Sequence, residues 1–521
     1  MRRLGLFGAV LLVLAVVYVA AWRTQPGTTR AAAQPGPQIA AVTSVTRSCP
    51  PPAPGTGAAH VALIALPSQA AAARGGASGA GAATLIAVPA TTGTATTGTA
   101  TTGTAKPGAA KPGTGTGTGP ARKPAAPAPR PLTVSAPGAL TTVTAPGVTG
   151  QSGSAGTAVA ATGQMAEGFE AEQANAAGTG VVSCTHPGSD MWFVGTGADD
   201  GASGVTLYLM NTGDLPASAN VTILTDAGVQ AGLNTGITIA PHQFVAQPIT
   251  PFVPGSAALA LHVQTSSGQV AASVWEDGGS GGAWLPQAAA PATSLVIPGL
   301  TVASSAARLF VTVPGASDAQ LKVVAFTAQG KFPQFGPTPV DAPAGATSSF
   351  ALSSLGASPA GLELISNVPI VAAVQVPGEG IGSFTTAVPP VTEQGIVAGN
   401  PATRGLTVGL VLTAPAGAAR ASVAVIGAAG SGAEPAGAQQ TVTVPAGHTL
   451  AVAVPRPQDS RQPFAIVITP ATGSGPLYAA RVVTTGTGGL SAPVAALLPV
   501  PNAPTVITLP PVQNAYTAVL P

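Results

Sequence analysis

A strand–proline–strand segment that returns at a fixed step constrains this chain most. ITIAPHQFVAQPI comes back as PVDAPAGATSSFAL and again as TVTVPAGHTLAVAV, with pivot residues Pro241, Pro343 and Pro445 spaced by 102 residues. Other landmarks keep nearly that step. Thr225-Asp-Ala-Gly228 matches Thr327-Ala-Gln-Gly330, and Val270-Ala-Ala matches Val371-Ala-Ala and Tyr478-Ala-Ala. The fullest copy, Gly204 to Glu276, alternates apolar and polar positions: Val205, Leu207, Leu209; Val221, Ile223; Leu259, Leu261, Val263. That is the period-2 pattern of half-buried strands. Turn clusters punctuate it at Asn211–Asp214, Asp226–Gly228 and Ser266–Gly268. The expected fold class is therefore all-β, as tandem immunoglobulin-like β-sandwich repeats of about 100 residues. A propeller of paired blades is the alternative. The repeats are placed at 198–299, 300–399 and 400–500, with 501–521 as a C-terminal tail. In the second, Leu309, Val311, Val323, Ala325 and Ile365 are candidate core residues.

Ahead of the repeats stands an uncharged run, Leu4–Trp22, preceded by Arg2-Arg3. Its length, about 28 Å as a helix at 1.5 Å per residue, matches a bilayer core. Tyr18 and Trp22 lie at its far end, where aromatic rings favour the interface. The expectation is a transmembrane signal-anchor over 4–22, followed by a linker over 23–38. The alternative is a cleaved signal with Ala31-Ala-Ala33 as the small-residue site. Either reading exports the remainder, at a cell membrane or as a secreted chain.

Charge is segregated. Up to Ala166 there are eleven Arg and Lys and no acid; from Glu167 on, seventeen acids face eight bases. Between Trp22 and Phe169 there is no aromatic residue. Residues 90–131 are Thr/Gly/Ala repeats and then a Lys/Pro tract, which has too little to bury and is expected to be disordered. Strand-like pieces on either side, 39–89 and 132–197, read as one N-terminal β module interrupted by this insertion. Glu167–Gln173 within it reads as a short helix. The basic arm either solubilises a tether or rests on anionic lipid or an anionic wall polymer.

The two cysteines, Cys49 and Cys184, flank the insertion and are expected to pair as a structural disulfide in an exported protein. With His186 they supply three ligands, short of a zinc set. No catalytic, cofactor-binding or metal residue emerges. Gly278-Gly-Ser280-Gly-Gly282 fits GxSxG but lacks the strand–turn–helix context of a nucleophile elbow. Asp199-Asp200-Gly201 is a fragment of a calcium loop without its remaining acids. The five histidines are scattered and read as surface residues. Trp192 and Trp275 lie in apolar strand contexts and read as core anchors. Trp284, between glycines and proline, is the candidate exposed binding aromatic.

The NTGDLPASANVTILTDAG, ITIAPHQ and SAALALHVQTSSGQVAASVWED segments, with the anchor and CTHPGSDMWFVG before them, resemble the actinobacterial envelope proteins grouped as domain of unknown function 5719. The resemblance covers roughly Ile39 to the C-terminus. It implies a membrane-anchored extracytoplasmic protein and carries over no activity and no catalytic residue. The expected function is a non-enzymatic cell-envelope protein presenting tandem β domains. Its partners would be the membrane, an envelope protein or an anionic wall polymer, not nucleic acid, and its oligomeric state stays open. The alternative is a glycan-active or other hydrolytic enzyme, which needs two facing carboxylates. Asp190, Asp199, Asp200, Asp214, Glu276 and Asp277 are the acids available to it.

Overall fold

The computed structural model describes residues 38–509 apart from 55–58, 68–78, 80, 92–131, 146–154, 176–179, 199–201, 232, 234–235, 280, 302–305, 353–354, 356–357, 379, 429–438, 455–456, 458–461 and 487. The Leu4–Trp22 run, the Ala31–Ala33 site, the Lys/Pro tract, Asp199-Asp200-Gly201 and Ser280 lie outside the described residues. Among the described residues no helix is long and apolar enough to cross a membrane. The chain is all-β. Strand β1 (Gln38–Ala41) pairs with the last strand, β35 (Val506–Leu509). Residues Ala41–Thr505 form one compact unit, built from four modules.

Module I contains β2 (Ser44–Cys49), β3 (Ala59–Ala65), β4 (Ala83–Val88) and β5 (Leu132–Val134). It continues through β6 (Thr141–Thr144), β7 (Gly156–Thr162), β8 (Phe169–Asn175) and β9 (Val181–Ser183). These make two sheets, β2-β7-β4-β5 and β6-β3-β8-β9.

Module II contains β10 (Asp190–Thr196), β11 (Gly204–Asn211), β12 (Ala217–Thr225), β13 (Gly228–Gln230) and β14 (Ile237–Ile239). Then come β15 (Gln243–Pro248), β16 (Ala258–Ser267), β17 (Ala271–Asp277) and β18 (Gly282–Leu285). Its sheets repeat the same order, β10-β16-β12-β13 and β15-β11-β17-β18, with β14 also on β12.

Module III contains β19 (Ala292–Leu300), β20 (Arg308–Thr312), β21 (Ala319–Thr327) and β22 (Gly330–Pro333). It goes on with β23 (Val340–Ala342), β24 (Thr347–Ala351), β25 (Ala360–Val376) and β26 (Ser383–Thr386). Here the 17-residue β25 serves both sheets. Its first half pairs with β19 and β21, and its second half with β20 and β26.

Module IV contains β27 (Gly395–Asn400), β28 (Leu406–Ala414), β29 (Ala419–Ile426) and β30 (Gln439–Val444). It ends with β31 (His448–Ala453), β32 (Phe464–Pro470), β33 (Tyr478–Thr485) and β34 (Val494–Pro499). The sheets are β27-β32-β29-β30 and β31-β28-β33-β34.

The pivot prolines mark where the chain leaves one sheet for the other. Pro241 lies between β14 and β15, Pro343 between β23 and β24, Pro445 between β30 and β31. A missing N–H costs nothing at such a crossing. Three readings are corrected here. The N-terminal module is a further copy of the same unit, with Pro137-Gly138 at its crossing (Gly138 φ 84°) and the insertion in its β4–β5 connection. The Glu167–Gln173 helix is strand β8, its side chains alternating between the two faces of the sheet. The module boundaries fall before 198, 300 and 400, because β10, β19 and β27 pair with β16, β25 and β32.

Within a module the two inner faces share one core; Leu207, Leu209 and Val274 of one sheet meet Val221, Ile223 and Leu261 of the other in module II. The outer faces are apolar as well, and each is covered by a neighbouring module. Tyr208, Met210, Phe244, Trp275 and Trp284 pack on Val88 and Ala158 of module I. Phe310, Ala373 and Phe384 of module III join the module II core. Val411, Ala480 and Val482 of module IV join that of module III. Ile396, Ala398 and Val467 of module IV meet Ala62 and Ile64 of module I. The four modules therefore close into a ring.

Closure follows a rule repeated in every module. The stretch after the last strand doubles back on the first: Ser48 with Thr185, Trp192 with Ala288, Val296 with Val388, Gly395 with Asn502. The residues entering a module also bond to the start of its long central strand: Gly188 with Val270, Ala292 with Ile370, Val391 with Leu477. For module I the C-terminal stretch takes that place. Gly168 N–H donates to the Pro504 carbonyl and Val42 N–H to the Thr505 carbonyl. Glu172, fully buried, reinforces the seam by accepting from the backbone N–H of Ala398 and Gly399, both at 3.0 Å, where β27 bulges. Burial pushes its pKa up, against the pull of Arg481 and those two N–H groups. Arg481 is itself fully buried in module IV, and its guanidinium nitrogens have no hydrogen-bond partner among the described residues.

Candidate functional site

Where the last strands of the modules converge, they line a half-open cavity of about 300 Å³. Every module contributes to it. Module I supplies Arg47, Glu170 and the run Val181–His186; module II supplies Phe193, Ser273 and Trp284–Ala289. Module III supplies Ala387–Pro389, and module IV Leu497–Pro499 with Pro501 and Asn502. The wall from modules II, III and IV is largely apolar; the charged groups sit on the module I side.

The disulfide builds that side. Cys49 on β2 is bonded to Cys184 just after β9, and both are buried. The bond holds Val181–His186 against β2, helped by reciprocal backbone hydrogen bonds between Ser48 and Thr185. Thr185 Oγ1 then donates to the Ala272 carbonyl of module II at 3.2 Å. Two residues before Cys49, Arg47 faces Glu170 of β8 at 3.3 Å. Burial dominates Glu170 and raises its pKa to about 7; the Arg47 guanidinium opposes this and Glu172 adds to it. Burial and the positive charge of Arg47 both lower the pKa of His186, so its imidazole is neutral at pH 7. Near neutrality Glu170 is about half protonated, so it offsets only part of the positive charge that Arg47 places on the cavity wall.

The structure confirms the Cys49–Cys184 pairing and relocates the aromatic candidate. Trp284 is only 7% exposed. It lies on β18, edge-on to Trp275 with ring centroids 5.1 Å apart. Gly282, two residues before it, is covered by the Trp275 ring: a Cβ there would collide with that ring and with the Glu276 carbonyl. Trp284 still lines the cavity, as part of its apolar wall. The acids considered for hydrolysis do not gather there. Asp190 pairs with His262 at 3.0 Å and Asp214 with His242 at 2.9 Å. Glu276 is buried inside module II, and none of the three lines the cavity. His262 is stacked on Trp192 at 3.8 Å rather than free on the surface. Among the described residues no three His, Cys, Asp or Glu side chains gather closely enough to hold a metal.

Arg47 and Glu170 were missed as site residues. Arg47 stands in a weak strand pattern, and Glu170 was read as one acid of a short helix. The available signal was the alternation Phe169, Ala171 against Glu170, Glu172, which is strand-like.

No curated protein matches the chain in sequence. A solved structure similar in part is the Streptomyces avermitilis alpha-L-rhamnosidase complexed with L-rhamnose, at 14% identity. The match covers 57% of this chain and 43% of that one, with a TM-score of 0.13. The chain thus spans less than half the length of that structure. A family model described as a family of unknown function matches residues 133–455, well over half of the sequence. The chain belongs to that family, DUF5719.

Proposed function

We propose that this protein is a non-enzymatic binding protein of the cell envelope, whose ring of β modules seats a ligand in its central cavity. The observation that carries this reading is the cavity itself: all four modules contribute residues to it, and among the described residues Glu170 is the one carboxylate that lines it. A two-carboxylate hydrolase would need a second. In this reading each module is an immunoglobulin-like sandwich used as a structural segment. Leu4–Trp22 anchors the chain in the membrane of an actinobacterium and carries the body outside the cytoplasm. The basic stretch within 90–131 meets anionic lipid, a wall polymer or an envelope protein.

The test is to purify the full chain from its own membrane and identify small molecules released on denaturation. A Trp at Ala289, which lines the cavity, should abolish the co-purifying compound. A reporter fused after Pro521 should be active only when exported. A cytoplasmic reporter would end the localisation reading, and a chain that releases the same compounds with or without the Trp would end the cavity reading.

A further inference from the structure

We infer that the cavity takes a single-chain amphiphile with an anionic head, the head on Arg47 and the chain along the wall formed by modules II, III and IV. This rests on the proposal that the cavity is a ligand seat, and it adds the ligand's chemistry.

The argument begins with an underused guanidinium. Arg47 offers five N–H donors in a fixed fork. Among the described residues its hydrogen bond is to Glu170, from one terminal nitrogen. Its side chain is 12% exposed and lines the cavity, and its unbonded Nε and Nη1 are not among the sealed, partnerless atoms. A ligand in the cavity therefore meets a guanidinium with donors to spare. A carboxylate, sulfate or phosphate oxygen suits them best, because charge-assisted bonds to guanidinium are about twice as strong as neutral ones. Glu170 does not block such a head. It lies almost fully buried behind Arg47, and its raised pKa leaves it substantially uncharged near neutrality. His186, the other titratable group on this wall, is neutral and adds no competing charge.

The rest of the cavity selects the tail. Phe193, Trp284, Leu285, Val388, Leu497 and Leu498 come from three modules and present hydrocarbon. A cavity of about 300 Å³ sits at the small end of ligand sites, enough for one short chain and not for a two-chain lipid. A cationic head would meet Arg47 directly and be repelled. A neutral head would leave the guanidinium without its counter-ion.

Three probes sharing one alkyl chain separate these cases: decanoate, decanol and decyltrimethylammonium, each below its micelle concentration, with the full-length protein. Calorimetry should show decanoate bound about tenfold or more tighter than decanol, the gain of one charge-assisted hydrogen-bond set, and the cation not bound. E170Q should widen the decanoate preference, because it removes the residual carboxylate charge beside Arg47. R47M combined with E170Q should erase the preference, decanoate and decanol then binding alike. The double variant leaves no unpaired buried charge, and its unfolding midpoint verifies that it is folded. Equal affinity for decanoate and decanol, or a preference that survives in R47M/E170Q, overturns the anionic assignment and leaves the ligand seat standing. Failure of all three probes, with A289W indistinguishable from the parent, overturns the assignment and the seat together.

Discussion

Glu276 sits inside module II with no exposed surface, one carboxyl oxygen accepting from Thr196 Oγ1 at 2.6 Å and the other without a partner. Burial raises its pKa from 4.5 to about 8, only partly offset by the bonds to Thr196. The native carboxyl thus keeps a proton that the unfolded chain releases between those two values. Over that window this residue lowers stability as pH rises, by up to ~1.4 kcal/mol per unit, and the loss is complete above the native pKa. Glu276→Gln removes the titrating proton and keeps the shape. Urea unfolding should show the variant close to wild type near pH 5 and more stable by about 1–3 kcal/mol near pH 8.5. An equal deficit at both pH values would mean that the carboxyl is not held neutral. Glycine 195 supports the same placement, since a Cβ there would strike the unpartnered Glu276 oxygen and Leu285. None of this was legible from the residues in order. Glu276 reads as one acid before a Gly-rich turn, and Trp284 as a ring in a loop. What buries both is packing across strands and between modules, which sequence spacing does not carry.

At the scale of elements, alternation made most strands legible, and the 102-residue step located the sheet crossings at Pro241, Pro343 and Pro445. The fourth copy was hidden for a physical reason. The long insertion between β4 and β5 breaks the spacing, so Pro137-Gly138 stands apart from the other pivots in its surroundings. The stretch 501–505 likewise reads as the start of a tail, because two prolines and an asparagine carry no alternation. It is a structural element held by many bonds. Ile396 N–H donates to the Pro501 carbonyl, and Ala503 N–H to that of Gln394. Thr505 gives both its N–H and its hydroxyl to Glu393 Oε2, at 2.9 and 2.8 Å. Asn502 bridges Thr392 N–H and the Pro390 carbonyl. A chain ending at Pro499 should therefore lose the seam between modules IV and I, while one ending at Thr505 should keep it. Hydrogen exchange would show this as faster exchange at Ile396–Asn400 and Phe169–Gln173 in the shorter chain alone, with Leu207–Leu209 of module II unchanged. Equal protection in both chains would mean that the seam does not depend on the C-terminal stretch.

The whole molecule differs from a string of beads in what covers its sheets. Among the described residues every hydrogen-bonded sheet of four strands or more stays within one module, yet each module buries both outer faces on its neighbours. Module II shows the consequence. Cut free, it would expose Tyr208, Met210, Phe244, Trp275 and Trp284 on one side, and on the other the surface that covers Phe310 and Phe384. Burying one large apolar side chain is worth roughly 1.5–3 kcal/mol, so several such losses are comparable to the whole stability of a domain this size. Fragments cut at 198–296 or 300–398 fare worse, since each also leaves out most or all of its first strand, β10 or β19. Tandem sandwiches would let such fragments fold independently; the closed ring argues against it. The complete module, residues 188–290, should self-associate or unfold without cooperativity, whereas residues 41–505 should unfold in one transition that is coincident by fluorescence and circular dichroism. Analytical ultracentrifugation of the fragment beside denaturant titration of the whole body decides the matter. A monomeric, cooperatively folded module II with a midpoint near that of the body would show that the ring is an assembly of self-sufficient domains, and that its apolar outer faces contribute little to holding each sandwich together.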